Sequence, residues 1–300
     1  MTHVAIIGAG AIGQALAHIL DGNKENRLAM FDKDATKVTR AALPLQEVVR
    51  DAEVIFMCVP SWAMRDALVE MKAYVKKDAI VVSLAKGLEG MHKKTMDQLL
   101  TECLPLHRIA LLGGPMLAAE FMEDLPGVGY LATKHSEVAK RVSDLFAGTI
   151  LSLETTQDVR GVALSGVLKN IYALGLGIAQ GLSWGNNQKG WYLTAALGEM
   201  VAMVEQFGGK RETAYSLAGI GDLVATGFSE YSHNSQFGEE IARTGVCRHR
   251  QSEGYESLPL LLGLLKEERS AFPVFFALEE IILNGKDANE IFTKLIRRLV

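Results

Sequence analysis

Two charged residues stand alone in apolar stretches of the second half of the chain, and they are the first candidates for chemistry. Lys169 is the single charged residue of segment 161–182. A helix that is apolar on all sides is buried, and a buried lysine is rare unless it is paired or functional. Burial lowers the pKa of a lysine, which makes it a usable proton donor near neutral pH. The alternative is a lysine whose aliphatic chain reaches the surface.

Asp222 is the counterpart of this lysine, because it is the only charged residue of segment 214–228. An aspartate that follows a glycine often caps a helix, and this simpler interpretation stays open. Two opposite charges in apolar segments would compensate one another if the fold brings them together. Such a pair in a cleft is a candidate catalytic site. Thr226 follows Asp222 by four residues, which places both on the same face of a helix.

A glycine-rich pattern near the start of the chain predicts a dinucleotide site. It follows a short apolar strand and opens a helical stretch, which is the context that this pattern requires. Its glycines allow a tight turn, a close approach of backbone amides to a pyrophosphate, and close packing of helix on strand. The pattern G-x-G-x-x-G is formed by Gly8, Ala9, Gly10, Ala11, Ile12 and Gly13.

Two further residues belong to this predicted cofactor site. Asp32 lies 19 residues after Gly13, where an acidic residue is expected to bind the ribose 2′-hydroxyl. A carboxylate there would repel a 2′-phosphate, so we expect NAD(H) to be preferred, although the adjacent Lys33 leaves NADP(H) possible. Pro60 ends the third long strand, at the edge of the sheet where ligands bind in open α/β folds. A proline that only ends the strand, without a role in ligand binding, explains Pro60 equally well.

The elements that must position these residues differ between the two halves of the chain. In the first half, short β-branched runs at 4–7, 28–31, 54–59, 79–84, 109–112 and 128–132 alternate with helical stretches at 12–20, 63–75 and 94–104. This alternation predicts a doubly wound parallel α/β sheet of the Rossmann type. The second half predicts an all-helical domain, with helices at 162–182, 190–207, 215–223, 257–267, 274–283 and 288–299. We place the boundary near 155, giving an NAD-binding domain at 1–155 and a helical catalytic domain at 156–300.

Composition excludes several classes of protein. The chain of 300 residues is 49% hydrophobic and 22% charged, which is typical of a globular protein rather than a disordered or fibrous one. A net charge of −4 provides no long-range attraction to nucleic acid or anionic lipid. We find no apolar run of the ~18 residues that a membrane helix needs. Three scattered cysteines, Cys58, Cys103 and Cys247, indicate reduced thiols and a cytoplasmic location rather than disulfides.

Five blocks of sequence, in order, resemble the NAD(P)-dependent glycerol-3-phosphate dehydrogenase family, bacterial type. The resemblance covers most of the chain, from residue 4 to beyond 240. The blocks are the glycine pattern at 8–13; the run SLAKGLE at 83–89; Gly114 and Pro115 with Ala118 and Glu120; Gly166 with Lys169 and Asn170; and Gly221, Asp222 and Leu223 with Thr226, Ser232 and Asn234.

This resemblance implies a reaction, which is hydride transfer between NAD(H) and C2 of dihydroxyacetone phosphate or sn-glycerol 3-phosphate. The active site would lie in the cleft between the two domains. Lys169 would be the general acid and base, with Lys86, Asp222 and Thr226 also catalytic. The implied substrate contacts are Asn170, Ser232, His233 and Asn234, and the implied further cofactor contacts are Lys86, Ala118 and Glu253. The family also leads us to expect a homodimer, a small-molecule substrate and no nucleic-acid partner.

The chain departs from the family at the residues expected to bind the substrate phosphate. Where the family has Ser-Arg-Asn, this chain has His233, and Ala195 stands where bacterial members usually have arginine. The stretch that follows the second strand is also short. Arginine offers a permanent charge and a bidentate fork, whereas a neutral histidine offers one donor. Lys189, Arg243 or Arg248 could supply a replacement charge.

Two alternatives therefore remain. The first is a dehydrogenase of the same fold that acts on another hydroxy or keto substrate, and the second is a non-catalytic regulator that senses NAD(H). A metal site is not predicted, because the seven histidines lack the spacing of metal ligands.

Overall fold

The computed structural model describes residues 1–246, 251–266 and 269–298. Within these ranges, a single sheet has the strand order β2-β1-β3-β4-β5-β6-β7. Its strands are β1 (Thr2–Ile7), β2 (Asn26–Phe31), β3 (Val54–Met57), β4 (Ile80–Ser83), β5 (Arg108–Gly113), β6 (Gly127–Ala132) and β7 (Leu151–Thr156).

Helices alternate with the strands in the first half and, joined by loops, form most of the described part of the second half. Those of the first half are α1 (Ala11–Asp21), α2 (Leu45–Arg50), α3 (Ser61–Met71), α4 (Met96–Cys103), α5 (Ala118–Met122) and α6 (Ser136–Asp144). Those of the second half are α7 (Val159–Gly181), α8 (Asn186–Gln206), α9 (Arg211–Ala214), α10 (Asp222–Phe228), α11 (His233–Thr244), α12 (Glu253–Leu262), α13 (Pro273–Ile282) and α14 (Ala288–Arg298). A 3₁₀ turn (Ala35–Lys37) and a π-helical turn (Leu217–Gly221) complete the description.

The central strands are buried on both faces, as their β-branched runs predict. Every residue of β3 and β4 is buried, and β1 pairs in parallel with both β2 and β3. Leu16 of α1 packs in the apolar core on one face of the sheet, and Leu68 of α3 packs in the core on the other. Helices on both faces of a mainly parallel sheet define a Rossmann-type fold. The predicted fold class is confirmed.

One pair of strands departs from the prediction of a wholly parallel sheet, because β6 runs antiparallel to β5. The chain between them contains only α5, a helix of five residues. Five helical residues span about 7.5 Å, whereas a six-residue strand is about 20 Å long. So short a helix cannot carry the chain back along the strand, and β6 starts at the same edge at which β5 ends.

Several elements were absent from the sequence-based prediction. The edge strand β7 was missed because half of its sequence LSLETT is exposed and only two of its residues are apolar. Five of the missed helices are short or polar, namely α2, α5, α6, α9 and α11. The predicted helix at 215–223 is wrong in its bounds, since the π-helical turn ends at Gly221 and α10 starts at Asp222.

Helix α7 is the central element of the second half. Its residues from Val162 to Ala179 are buried, and α11 lies against it at glycines. A Cβ on Gly238 would lie 1.9 Å from the carbonyl oxygen of Leu174, so only glycine permits this contact. By length and composition α7 could cross a membrane, contrary to our expectation from the sequence, but its apolar window is wholly buried inside the protein.

The same helix joins the sheet to the helical half. Strand β7 ends at Thr156 and α7 begins at Val159, so the boundary predicted near 155 falls at the end of β7. Val162 and Ala163 of α7 pack in the core beneath the sheet, whereas Leu168 and Ile171 pack in the core of the helices. Residues on successive turns of one helix therefore face the two cores.

Candidate active site

The glycine turn between β1 and α1 has a geometry that side chains would prevent. Gly8 has φ +103°, and a Cβ there would lie 2.8 Å from the carbonyl carbon of Cys58. A Cβ on Gly13 would lie 2.0 Å from the carbonyl oxygen of Gly8. A Cβ on Gly10, in contrast, would meet nothing within 4 Å. The turn is thus tight on its inner side and open on its outer side.

The start of α1 fits a dinucleotide pyrophosphate. Gly10 is the N-cap and provides no side-chain acceptor for the first turn, which begins at Ala11 and Ile12. The first amides of a helix have no acceptor within the helix, and their N–H groups together with the helix dipole favour an anion. The open space above Gly10 lies at these amides, so the residues present can hold a phosphate group.

Asp32 lies at the end of β2 and is tied to the glycine turn. One carboxylate oxygen accepts a hydrogen bond from the amide of Ala9 at 2.7 Å, and the other accepts one from the amide of Asp34 at 2.9 Å. The neighbouring Lys33 lies 3.7 Å from the carboxylate of Glu70 on α3. The carboxylate, and not the lysine, is therefore the group fixed beside the cofactor turn.

The other predicted cofactor residues lie at helix starts. Pro60 precedes α3, Ala118 is the first residue of α5, and Glu253 is the first residue of α12. Glu253 accepts hydrogen bonds from the amide of Ser61 at 2.9 Å and from its hydroxyl at 2.5 Å. Burial raises the pKa of Glu253, and the hydrogen bonds from Ser61 oppose this effect. Sequence reasoning missed Ser61, although it directly follows Pro60.

The two isolated charges of the second half meet in the structure. The ammonium of Lys169 lies 3.0 Å from one carboxylate oxygen of Asp222 and donates a hydrogen bond of 2.7 Å to the hydroxyl of Thr226. The hydroxyl of Thr226 donates in turn to the same oxygen of Asp222 at 3.1 Å. Lys169 is 5% exposed and Asp222 is 2% exposed. The alternative of a lysine that reaches the surface is therefore wrong.

Lys86 completes this centre from the loop that follows β4. Its ammonium donates to the second carboxylate oxygen of Asp222 at 2.7 Å and to the carbonyl of Gly114 at 2.9 Å. Asp222 thus bridges two lysines, one from each half of the chain. A small cavity between β4, β5 and α7 reaches this centre and is lined by Lys86, Gly114, Gly166 and Asp222. The contact with the Gly114 carbonyl could not be deduced from the sequence.

The surroundings shift the proton affinities of the centre. Burial lowers the pKa of Lys169 from 10.5 to about 8, and the carboxylate of Asp222 opposes that change. Burial alone would raise the pKa of Asp222, but the ammonium groups of Lys169 and Lys86 hold it below its ordinary value of 3.8. At neutral pH the centre therefore holds an ionised carboxylate beside a lysine that can release its proton. Such a lysine is suited to general acid–base chemistry.

The residues predicted to contact the substrate form hydrogen bonds with other groups of the protein. The amide nitrogen of Asn170 donates to the carbonyl of Lys86 at 2.7 Å, and Asn234 donates to the amide oxygen of Asn170 at 2.8 Å. The amide of Gly254 donates to Asn234 at 3.0 Å. Ser232 caps α11 by accepting from the amide of Ser235 at 3.2 Å. These polar groups already have protein partners.

The residue in place of the family arginine lies on the surface. His233 is the exposed first residue of α11. Of the three candidate replacement charges, Lys189 bonds to Gln180, and Arg243 pairs with Glu239 in the last turns of α11, away from His233. Arg248 lies outside the described residues. Ala195 lies within α8. Among the described residues, no group of three or more His, Cys, Asp or Glu side chains could hold a metal ion.

The fold and the site define a class of protein. A dinucleotide turn on a mainly parallel sheet, combined with a buried lysine and carboxylate on the adjoining helices, is characteristic of an NAD(P)-dependent oxidoreductase that acts on a CH–OH group. Profiles of the NAD-dependent glycerol-3-phosphate dehydrogenase family match residues 34–139 with its N-terminal part and residues 158–293 with its C-terminal part. The chain belongs to this family, and the resemblance seen in its motifs is confirmed.

Individual relatives are similar to this protein along nearly its whole chain. Glycerol-3-phosphate dehydrogenase [NAD(P)+] of Syntrophomonas wolfei is 32% identical, with 99% of this chain and 95% of the relative covered. The same enzyme of Chlorobium limicola is 30% identical, with 99% and 98% covered. The crystal structure of glycerol-3-phosphate dehydrogenase from Coxiella burnetii superposes with a TM-score of 0.88 at 26% identity over 98% of both chains.

Proposed function

We propose that the chain catalyses reversible hydride transfer between NAD(H) and C2 of dihydroxyacetone phosphate, which gives sn-glycerol 3-phosphate. The observation that carries this proposal is the buried ammonium of Lys169, held by Asp222 and Thr226. Neither a different substrate nor a non-catalytic regulator is favoured by the two enzymes of Syntrophomonas wolfei and Chlorobium limicola, which are named for this dehydrogenase activity and match nearly the whole chain.

The proton chemistry follows from the geometry of Lys169. When ketone is reduced, negative charge grows on the C2 oxygen, and the ammonium of Lys169 stabilises it and donates the proton. When alcohol is oxidised, the neutral amine removes that proton. When bound, NAD(H) would supply or accept the hydride at C2. Asp222 keeps Lys169 oriented, and Lys86 adds a second positive charge for contact with the substrate near the carbonyl.

The cofactor is held by the residues of the first half. The amides at the start of α1 bind the pyrophosphate, and Asp32 binds the ribose. Because Asp32 is fixed on Ala9 and Lys33 faces Glu70, we expect NADH to be preferred over NADPH. Residues 1–155 are the cofactor-binding unit in this proposal, and residues 156–300 carry the catalytic lysine. The measurement is kcat/KM with each cofactor, and a ratio that favours NADPH would contradict the expectation.

The substrate phosphate is expected near the start of α11, where His233 replaces the arginine typical of the family. One lost charge-assisted hydrogen bond corresponds to about 1.5–3 kcal/mol, which is about one to two decades of affinity. We therefore expect a KM for dihydroxyacetone phosphate above that of relatives that have the arginine. Competition by inorganic phosphate and by glycerol distinguishes a phosphate-binding site from a site for the carbon chain.

Two further proposals concern the assembly of the chain and its location. We propose a homodimer, since twofold dimers are the commonest assembly, and aromatic side chains such as Phe228 and Tyr231 are more than half exposed. We also propose a cytoplasmic location, because Cys58 and Cys103 are free thiols. Light scattering after size exclusion measures the assembly, and a monomer at micromolar concentration would contradict the first proposal.

The experiment that tests the function is oxidation of NADH in the presence of dihydroxyacetone phosphate. Lys169→Met, which keeps the aliphatic chain but lacks the amine, is compared with Lys77→Met, which alters an exposed lysine outside the site. We expect turnover in the wild type and in Lys77→Met, and a loss of at least about 100-fold in Lys169→Met. Fluorescence titration with NADH checks that Lys169→Met still binds cofactor.

The outcomes of this experiment separate the alternatives. Turnover with a 2-keto acid or unphosphorylated dihydroxyacetone, but not with dihydroxyacetone phosphate, would favour the different-substrate alternative. NADH binding without turnover of any carbonyl compound would favour the regulator.

A further inference from the structure

Helix α12 lies against the loop that carries Lys86. This loop, residues 84–95, connects β4 to α4 and is called the Lys86 loop below. Two residues of α12 and the residue that caps its C-terminus approach it from the helical half. Glu253 reaches Ser61 beside Gly87, Ser257 meets Leu88, and the carbonyl of Gly263 lies 3.4 Å from the ammonium of Lys93. The loop therefore runs beside α12 over much of its length.

The contact at Ser257 is the most enclosed of these. Ser257 is 0% exposed, and its hydroxyl oxygen accepts a hydrogen bond of 3.2 Å from the amide of Leu88. Leu88 is itself 2% exposed and packs in the core of the helices although it belongs to a loop of the sheet. A buried amide without an acceptor is unfavourable. Ser257 is thus the group that allows the backbone at Leu88 to enter the helical core.

The backbone around Lys86 is fixed from two directions. The carbonyl of Lys86 accepts a hydrogen bond from Asn170 on α7 at 2.7 Å, and two residues further on Leu88 donates to Ser257 on α12. Gly87 between them has no room for a side chain, since a Cβ would lie 1.9 Å from a carboxylate oxygen of Glu253. The side chain of Lys86 leaves this short, anchored segment and ends on Asp222.

We propose that Ser257 is a positioning residue that fixes Lys86 beside Asp222 and the substrate. This proposal rests on the proposed function, because it assigns Ser257 a part in the same reaction. Ser257 does not touch the reacting atoms; it acts through the amide of Leu88 and the backbone that leads to Lys86. Its loss lets the loop move, and a displacement of about 1 Å of a positioning group can reduce turnover about 100-fold.

The test compares two buried serines. Ser257→Ala removes the acceptor of the Leu88 amide, whereas Ser165→Ala removes a fully buried hydroxyl on α7 that has no hydrogen-bond partner among the described residues. We expect kcat/KM for dihydroxyacetone phosphate to fall about 10- to 100-fold in Ser257→Ala and to stay within about twofold of wild type in Ser165→Ala. Ser257→Cys places a larger sulfur atom, which is a weaker hydrogen-bond acceptor, at the same position, and we expect an intermediate loss.

A double-mutant cycle separates positioning from general damage to the fold. If Ser257 acts through Lys86, Ser257→Ala has little further effect on kcat/KM once Lys86→Ala is present. Equal fold losses in the wild-type and Lys86→Ala backgrounds would overturn the proposal. Thermal unfolding of each variant confirms that assays are made on folded protein.

Hydrogen exchange gives a readout that does not depend on activity. We expect peptides that cover residues 84–95 to exchange faster in Ser257→Ala than in wild type or Ser165→Ala, with exchange elsewhere unchanged. Unchanged exchange in this loop would overturn the proposal. If the wild-type protein shows no turnover with dihydroxyacetone phosphate, the proposed function fails instead, and the exchange result still decides whether Ser257 holds the loop.

Discussion

Replacing Asp222 by asparagine tests how the carboxylate controls the proton of Lys169. The carboxylate oxygens lie 3.0 Å from the ammonium of Lys169 and 2.7 Å from that of Lys86. An opposite charge at such a distance raises a lysine's pKa by about 1–3 units. Asp222→Asn should therefore lower the pKa of Lys169 further below its present value of about 8.

The sign of the effect on rate follows from which form of the lysine reacts. Ketone reduction needs the ammonium, so kcat/KM falls as pH rises through the pKa of Lys169. At a pKa of about 8, about three quarters of Lys169 is protonated at pH ~7.5, and this fraction falls as the pKa is lowered. A fall of at least about one pH unit in that pKa should cost the variant at least about threefold in kcat/KM at pH ~7.5 from protonation alone, and less at pH ~6.

The assay is kcat/KM for reduction of dihydroxyacetone phosphate between pH ~5.5 and ~9, in wild type and Asp222→Asn. Glu199→Gln is the matched control, because Glu199 is a buried carboxylate whose pKa burial raises to about 7 and which bonds to Tyr172 away from the lysines. We expect its pH profile to match wild type. A descending limb that stays at about pH 8 in Asp222→Asn would refute the argument that this carboxylate sets the proton affinity of Lys169.

Three further predictions concern the cofactor and substrate residues. Asp32→Ser should reduce the preference for NADH over NADPH by about 10-fold in kcat/KM, since it removes the charge that repels a 2′-phosphate, and an unchanged ratio would show that Asp32 does not discriminate. Gly13→Ala should raise the Kd for NADH, measured by fluorescence titration, because its Cβ would lie 2.0 Å from the Gly8 carbonyl oxygen. The control is Gly190→Ala on α8, which has open space around its Cβ and should leave that Kd unchanged. Equal Kd values in the two variants would contradict a cofactor at this turn. His233→Arg should lower the KM for dihydroxyacetone phosphate by about 10-fold through a charge-assisted contact, and a KM that does not change would place the phosphate elsewhere.

Sequence reasoning worked where the signal is local. Gly8, Gly10 and Gly13 indicate a turn. A side chain on Gly8 or Gly13 would collide with backbone atoms, and Gly10 leaves the space outside the turn open. Lys169 and Asp222 stand out because a single charge in an apolar segment must find a partner once the segment is buried. In both cases the pattern that marks the residue lies within one short segment of the sequence, namely 8–13, 161–182 or 214–228.

The sequence could not reveal contacts that depend on how distant elements meet. The bond between Glu253 and Ser61 joins residues 192 positions apart, and that between Leu88 and Ser257 joins residues 169 positions apart. Asn234 belongs to a sequence motif, but in the structure it bonds to Asn170 and Gly254. The motif alone could not show whether its side chain bonds to the protein or to the substrate. The antiparallel turn into β6 likewise depends on the length of α5 and not on any periodicity of the strands.

The most direct test of the central claim is the pH dependence of kcat/KM in both directions of the reaction. Because Lys169 must be an ammonium to reduce the ketone and a free amine to oxidise the alcohol, we predict a rate of dihydroxyacetone phosphate reduction that falls through pH ~8. The rate of sn-glycerol 3-phosphate oxidation should rise through the same pH. Two profiles that change in the same direction, or that show no transition near this pH, would contradict a proton carried by Lys169.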